Sequence, residues 1–170
     1  SRSEIQEYQE LGQALGAIAG RINGKFGEVA WTPIRYVNRA YSRTELAGLY
    51  RSARVGLITP LRDGMNLVAK EYVAAQDAGD PGVLILSRFA GAAAECRDAL
   101  LVNPFDPESV ASAIARALEM PLAERRDRHN HIIATLSLNN SDVWGTRFLR
   151  SLQKLELVQS EAEFWVLENF

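Results

Sequence analysis

The run Val55-Gly56-Leu57-Ile58 stops at Thr59-Pro60, and what surrounds that stop constrains the fold more than any other stretch. Four residues of this kind are too few for a helix and suit a buried strand. Pro60 has no N–H for a strand ladder, so the strand has to end before it. Leu61-Arg62-Asp63-Gly64-Met65 follows as a polar loop, in which Gly64 permits a turn or the close approach of a ligand. Asn66 is a good N-cap, and Leu67 to Gln76 has helical character. Strand, tight loop and helix N-terminus is how α/β proteins build an anion site at the carboxyl edge of a sheet.

The rest of the chain supplies the partners such a strand needs. Ile5, Tyr8, Leu11, Leu15, Ile18 and Ile22 recur every three or four residues, which predicts a helix from about Ser3 to Arg21. Gly12, Gly16 and Gly20 make a smooth stripe on it, suited to close packing on a sheet. Asn23-Gly24 is expected to end it with a left-handed cap. Ile34 to Val37 reads as a strand with Pro33 at its start. Ser42-Arg43-Thr44-Glu45 fits the capping box, predicting a helix from Arg43 to about Ala53. Val83 to Leu86 and Ala99 to Val102 are further short strands, separated by a small-residue loop at Phe89 to Glu95 that enters a short helix.

Asp106-Pro107-Glu108 combines an N-cap, a proline in the first turn and an acidic residue, opening a helix whose buried face is expected at Val110, Ile114 and Leu118. Pro121 opens another, and Asn139-Asn140-Ser141 precedes a last one carrying Val143, Trp144, Phe148 and Leu152. Strands alternating with helices predict an α/β fold, Rossmann-like, with a mostly parallel sheet flanked by helices. The expected division is one domain over 1–157 and a tail over 158–170.

A net charge of −2 and a pI near 5.8 argue against a binder of the nucleic-acid backbone, which needs a basic face. No run of about 18 apolar residues exists, so no membrane helix is expected. The single cysteine, Cys96, cannot form an internal disulfide and fits a reducing compartment, hence a cytoplasmic location. His129 and His131 stand two apart and point in different directions on a helix, a poor metal pair. The chain starts at Ser1 without an initiator Met and leads straight into a helical pattern, so it is expected to be a piece of a longer one.

In the central loop, Asp63 and Asn66 stand where the first helical turn leaves free N–H donors at Leu67 and Val68. A diphosphate there gains those amides and the positive end of the helix dipole. Glu71, one turn after Leu67, can reach a neutral diol such as a ribose. Amides for phosphate and a carboxylate for sugar hydroxyls suggest a nucleotide-sugar pocket. The bland alternative makes Asp63 and Asn66 ordinary turn and cap residues and Glu71 a solvated one.

The run from Thr59 to Gln76 resembles the signature of trehalose-6-phosphate synthases. Ala19 to Gly27, Phe89 to Ala93 and Val102 to Asp106 resemble three more segments of that family, in the same order. The resemblance implies the second of two Rossmann-like domains facing across a cleft, the GT-B arrangement of glycosyltransferases, incomplete here at its N-terminal side. It implies retaining transfer of glucose from UDP-glucose to glucose 6-phosphate in trehalose biosynthesis, with no metal and no further cofactor.

By that match, Leu67, Val68, Ala69, Lys70 and Glu71 bind the UDP moiety, Glu71 at the ribose, and Asn66 belongs to the same donor run. Asp63, the catalytic candidate, contacts the donor glucose with the Gly64 and Met65 backbone. Tyr41 stands where the family usually has a Phe beside the uracil, and Arg2 matches an Arg that contacts the acceptor phosphate. Ala94 and Cys96 depart from the family pattern. The implied partner is the N-terminal Rossmann-like domain, which holds most of the acceptor site, and a homo-oligomer is compatible with the match. An Arg and Lys pair that steadies the donor diphosphate lies upstream in the family, before Ser1, so this piece alone is expected to be inactive. Two other readings stay open: a glucosyltransferase with another phosphorylated acceptor, such as glycerol 3-phosphate, and a non-catalytic nucleotide-sugar-binding or regulatory module.

Overall fold

The computed structural model describes residues 6–153, so Arg2 and the 158–170 tail lie outside the described residues. The chain divides into two compact units, Ser1–Tyr41 and Ser42–Phe170.

In the first unit, helix α1 spans Gln6–Phe26 and runs past the expected stop at Asn23-Gly24. Asn23 turns its amide outward: its Nδ2 donates to the Ile34 carbonyl at 2.8 Å and its Oδ1 accepts the Ile34 N–H at 2.9 Å. No glycine among the described residues has a positive φ, so Gly24 is no left-handed cap. The same contact explains why Ile34 to Val37 is not a strand. The Asn23 amide already satisfies the Ile34 backbone, and among the described residues the unit's pairing is one antiparallel bridge, Glu28 with Trp31. Of the glycine stripe, Gly12 faces the Tyr36 hydroxyl, 3.8 Å from where a Cβ would sit, while Gly16 and Gly20 face open space. Packing on a sheet, expected for that stripe, is not what the unit shows.

The second unit holds α2 (Arg43–Ser52), β1 (Val55–Ile58), α3 (Leu67–Ala75), β2 (Val83–Ser87), β3 (Leu100–Val102), α4 (Pro107–Glu119) and α5 (Leu122–Leu138). A last helix, α6, covers 141–153. The strands form one parallel sheet in the order β1-β2-β3, with Val55 opposite Val83 and Ile85 opposite Leu100. β2 is central and buried along its length, which is why it reads as an unbroken apolar run. Alternate residues serve opposite faces. Leu84 and Leu86 pack with Ala69, Tyr72, Val73 and Ile132, whereas Val83 and Ile85 pack with Leu100, Val102, Ala117 and Met120. The sheet therefore has helices on both faces, α3 and α5 on one and α4 on the other.

Val110 and Ile114 sit on the α4 side of that core as expected, but Ala117 rather than Leu118 completes the stripe, and Leu118 is exposed. Pro121 is the N-cap of α5 rather than its first residue. The loop after β2 closes as a 3-10 turn, Gly91–Ala94, where a short helix is expected.

Tyr72 fixes α3 to the sheet. It is 2 % exposed, and its hydroxyl donates to the Ala53 carbonyl at 3.1 Å. Burial pushes that hydroxyl up to about 12. Glycine at 56 makes room for the ring, since a Cβ there would lie 2.8 Å from it.

Candidate functional site

Because the strands are parallel, the segments after β1, β2 and β3 leave the same edge of the sheet. Their residues meet there. Asp63, after β1, forms an isolated parallel bridge with Ala90, after β2. The Asp63 N–H donates to the Phe89 carbonyl at 3.3 Å, and the Gly91 N–H donates to the Gly64 carbonyl at 2.6 Å. Phe89 packs on Phe105, after β3, with ring centroids 6.0 Å apart. The loop is thus anchored to its neighbours although it lies at the surface.

Asp63 organises the loop from within. One carboxylate oxygen accepts the Gly64 N–H at 2.8 Å and the other accepts the Asn66 side-chain amide at 2.6 Å. A carboxylate has about four acceptor sites, so two remain for a ligand on an exposed side chain. Asn66 has φ 54°, the one left-handed non-glycine among the described residues. Its Oδ1 caps the Ala69 N–H at 3.0 Å.

The donor run divides accordingly. Ala69 turns its methyl into the core, 0 % exposed, and its N–H is taken by Asn66. The Met65, Leu67 and Val68 N–H groups have no acceptor among the described residues. Lys70 does not project freely, because its ammonium pairs with Glu95 at 2.9 Å, both side chains largely covered. Glu71 is exposed and close enough to Tyr50 for its charge, after burial, to push the Tyr50 hydroxyl up. A groove of about 460 Å³ opens beside the loop between α3, α5 and α6, lined by Met65, Leu67, Lys70, Leu136 and Trp144. Leu67, Lys70 and Ala74 of α3 line that groove, and Glu71 is not among its lining residues.

Tyr41 belongs to the first unit, where the Arg39 guanidinium lies 4.7 Å from its ring centroid. Arg2 is outside the described residues. Cys96 is fully buried, and its thiol is pushed up to about 11, by burial first and Glu95 second. His129 is buried on α5 with its Nε2 3.1 Å from the Val73 carbonyl, a structural contact. Two site residues were invisible in the sequence as such: Gly91, which abuts the loop, and Glu95, which holds Lys70. Both act across 25 or more positions, which no local pattern announces.

Residues 1–154 match Glycosyltransferase family 20. The chain belongs to that family. It is 54% identical over 154 residues to the trehalose-6-phosphate synthase of Enterobacter sp. (strain 638), covering 91% of this chain and 32% of that one. A solved alpha,alpha-trehalose-phosphate synthase (UDP-forming) from Burkholderia xenovorans, in complex with glucose-6-phosphate, superposes with a TM-score of 0.86 at 56% identity, over 90% of this chain and 34% of that one. A structure described as trehalose-6-phosphate from E. coli bound with UDP-2-fluoro glucose gives a TM-score of 0.85 at 52% identity, over 89% and 34%. The chain thus spans about a third of the length of the family members it matches. The expected Rossmann-like α/β fold and the family assignment both hold. Among the described residues no helix is long and apolar enough to cross a membrane.

Proposed function

We propose that this chain supplies the donor site of a retaining glucosyltransferase that moves glucose from UDP-glucose to glucose 6-phosphate, forming trehalose 6-phosphate and UDP. The observation that carries this reading is the Asp63 to Glu71 unit. An exposed carboxylate, two unused amides at a helix N-terminus and a second carboxylate one turn on stand in the order sugar, diphosphate, ribose. The family match over residues 1–154 supports it.

The roles follow from charge. The Leu67 and Val68 amides and the α3 dipole stabilise the leaving diphosphate, where charge develops as the glycosidic bond breaks. Glu71 is anionic and suits neutral ribose hydroxyls. Asp63 and the Met65 N–H orient the glucose, with Asp63 the catalytic candidate. Tyr41 stacks on the uracil, and Arg2 binds the acceptor phosphate. Lys70 contributes by holding the first turn through Glu95 rather than as a free cation. An N-terminal Rossmann-like domain completes the acceptor side, and the cytoplasm, where Cys96 stays reduced, is the compartment.

Calorimetry with UDP tests the assignment on this chain and on Glu71→Ala. Loss of the ribose contact is expected to raise Kd about tenfold, roughly 1.4 kcal/mol. Equal binding by both proteins refutes the ribose role. Without upstream cations the isolated chain is expected to transfer no glucose, and measurable transfer by it contradicts this division of labour.

A further inference from the structure

We propose that Gly91 is a positioning residue for the donor sugar: it fixes the plane of the Gly64-Met65 peptide and so aims the Met65 N–H. The inference rests on the donor-site reading above and adds to it a residue outside the Asp63 to Glu71 run. The Gly91 N–H donates to the Gly64 carbonyl at 2.6 Å and more weakly to the Asp63 carbonyl at 3.3 Å. A trans peptide is planar, with C=O and N–H pointing opposite ways. A Gly64 carbonyl held against the 3-10 turn therefore turns the Met65 N–H away from it, and that N–H has no acceptor among the described residues.

The fixing requires glycine for a steric reason. A Cβ at position 91 would overlap the Gly64 carbonyl oxygen and come within 2.9 Å of its carbon. Gly64 itself has open space where its Cβ would be, so the close approach is demanded at 91 and not at 64. Asp63 adds a second fixed point, since its carboxylate accepts the Gly64 N–H at 2.8 Å. The peptides on both sides of Gly64 are thus held, one by a side chain and one by a backbone 27 positions away. The 3-10 turn is in turn tied to α3 by Glu95 and Lys70.

An alanine at 91 has to push the Gly64-Met65 peptide by about 1 Å, a misplacement that costs on the order of 100-fold in rate when it moves a group oriented on the reacting sugar. The test uses the full-length enzyme carrying Gly91→Ala. The expected result is kcat lower by about 100-fold with UDP affinity, carried by the α3 amides and Glu71, within about twofold of wild type. Unchanged kcat overturns the proposal, and so does a loss of UDP affinity equal to the loss of kcat, which marks general damage. If the variant does not fold, the wild-type enzyme still decides the matter by amide NMR. The Met65 amide is expected to shift with UDP-glucose and not with UDP. A Met65 amide that responds identically to both overturns the positioning role while leaving the donor site standing. Absence of UDP binding by the wild type overturns the donor site itself.

Discussion

Asn66 holds a conformation that few side chains tolerate and makes two contacts from it, so its replacement has a calculable effect. At φ 54° an alanine costs about 1–2 kcal/mol. Loss of the cap on the Ala69 N–H adds about 1 kcal/mol. The 2.6 Å bond to Asp63 is exposed, which places its loss at the low end, about 0.5 kcal/mol. Asn66→Ala is therefore expected to destabilise by about 3 kcal/mol, or roughly 6–12 °C in thermal midpoint for a chain of this size. Asn66→Gly removes both contacts but not the backbone fit, and capping by glycine costs only a few tenths, so about 1–1.5 kcal/mol is expected. The assay is thermal and urea unfolding of both variants side by side. If alanine and glycine lower stability equally, the left-handed cap carries no strain and the reasoning fails.

Gly82→Ala is expected to lower stability by at least 2 kcal/mol, since a Cβ there meets the Tyr72 hydroxyl and the Ala53 and Arg54 carbonyls. Gly48→Ala, in α2 with open space around it, should instead stabilise by about 0.5–1 kcal/mol; changes of the same sign in urea unfolding contradict the packing account. Acid should weaken the fold through three carboxylates held below their usual range. These are Glu45 by Ser42, Asp77 by the Gly79 N–H and then Arg51, and Glu124 by Arg128. A depressed folded pKa gives stability that is present above the unfolded value and lost as pH falls through the folded one. The thermal midpoint should therefore drop below about pH 4.5, and a flat midpoint down to about pH 3 removes these contacts from the account.

The site was legible wherever its signals are local. Pro60, Gly64 and Asn66 punctuate the chain within seven residues, and α3 begins at Leu67 as the N-cap predicts. Ser42 and Glu45 form the capping box in both directions. β2 is buried throughout, as an unbroken apolar run in a parallel sheet should be. What failed depends on partners distant in sequence. Ile34 to Val37 has strand composition, but a strand exists only beside another, and the Asn23 amide satisfies the Ile34 backbone first. Leu118 and Ala117 are equally plausible by periodicity, and the closeness of α4 to the sheet selects the smaller residue. Lys70, which the family match puts in the donor run, has its ammonium held by Glu95, a partner 25 positions away that no local pattern announces.

At the loop itself, polar side chains are used to fix backbone. Asn66 and Lys70 hold the first turn of α3, and Asp63 spends two of its acceptor positions on the loop before any ligand arrives. A site that stabilises developing charge gains most when its donors are already oriented, because reorientation during the reaction costs what the donors return. The buried side of α3, with Ala69, Tyr72 and Val73 in the core, holds the helix that presents those donors. The groups then divide: the Met65, Leu67 and Val68 amides have no acceptor among the described residues, and Glu71 follows one turn on. Under the donor reading proposed above, the amides of residues 65, 67 and 68 are set before a substrate arrives, and the Asp63 and Glu71 carboxylates meet it with their side chains.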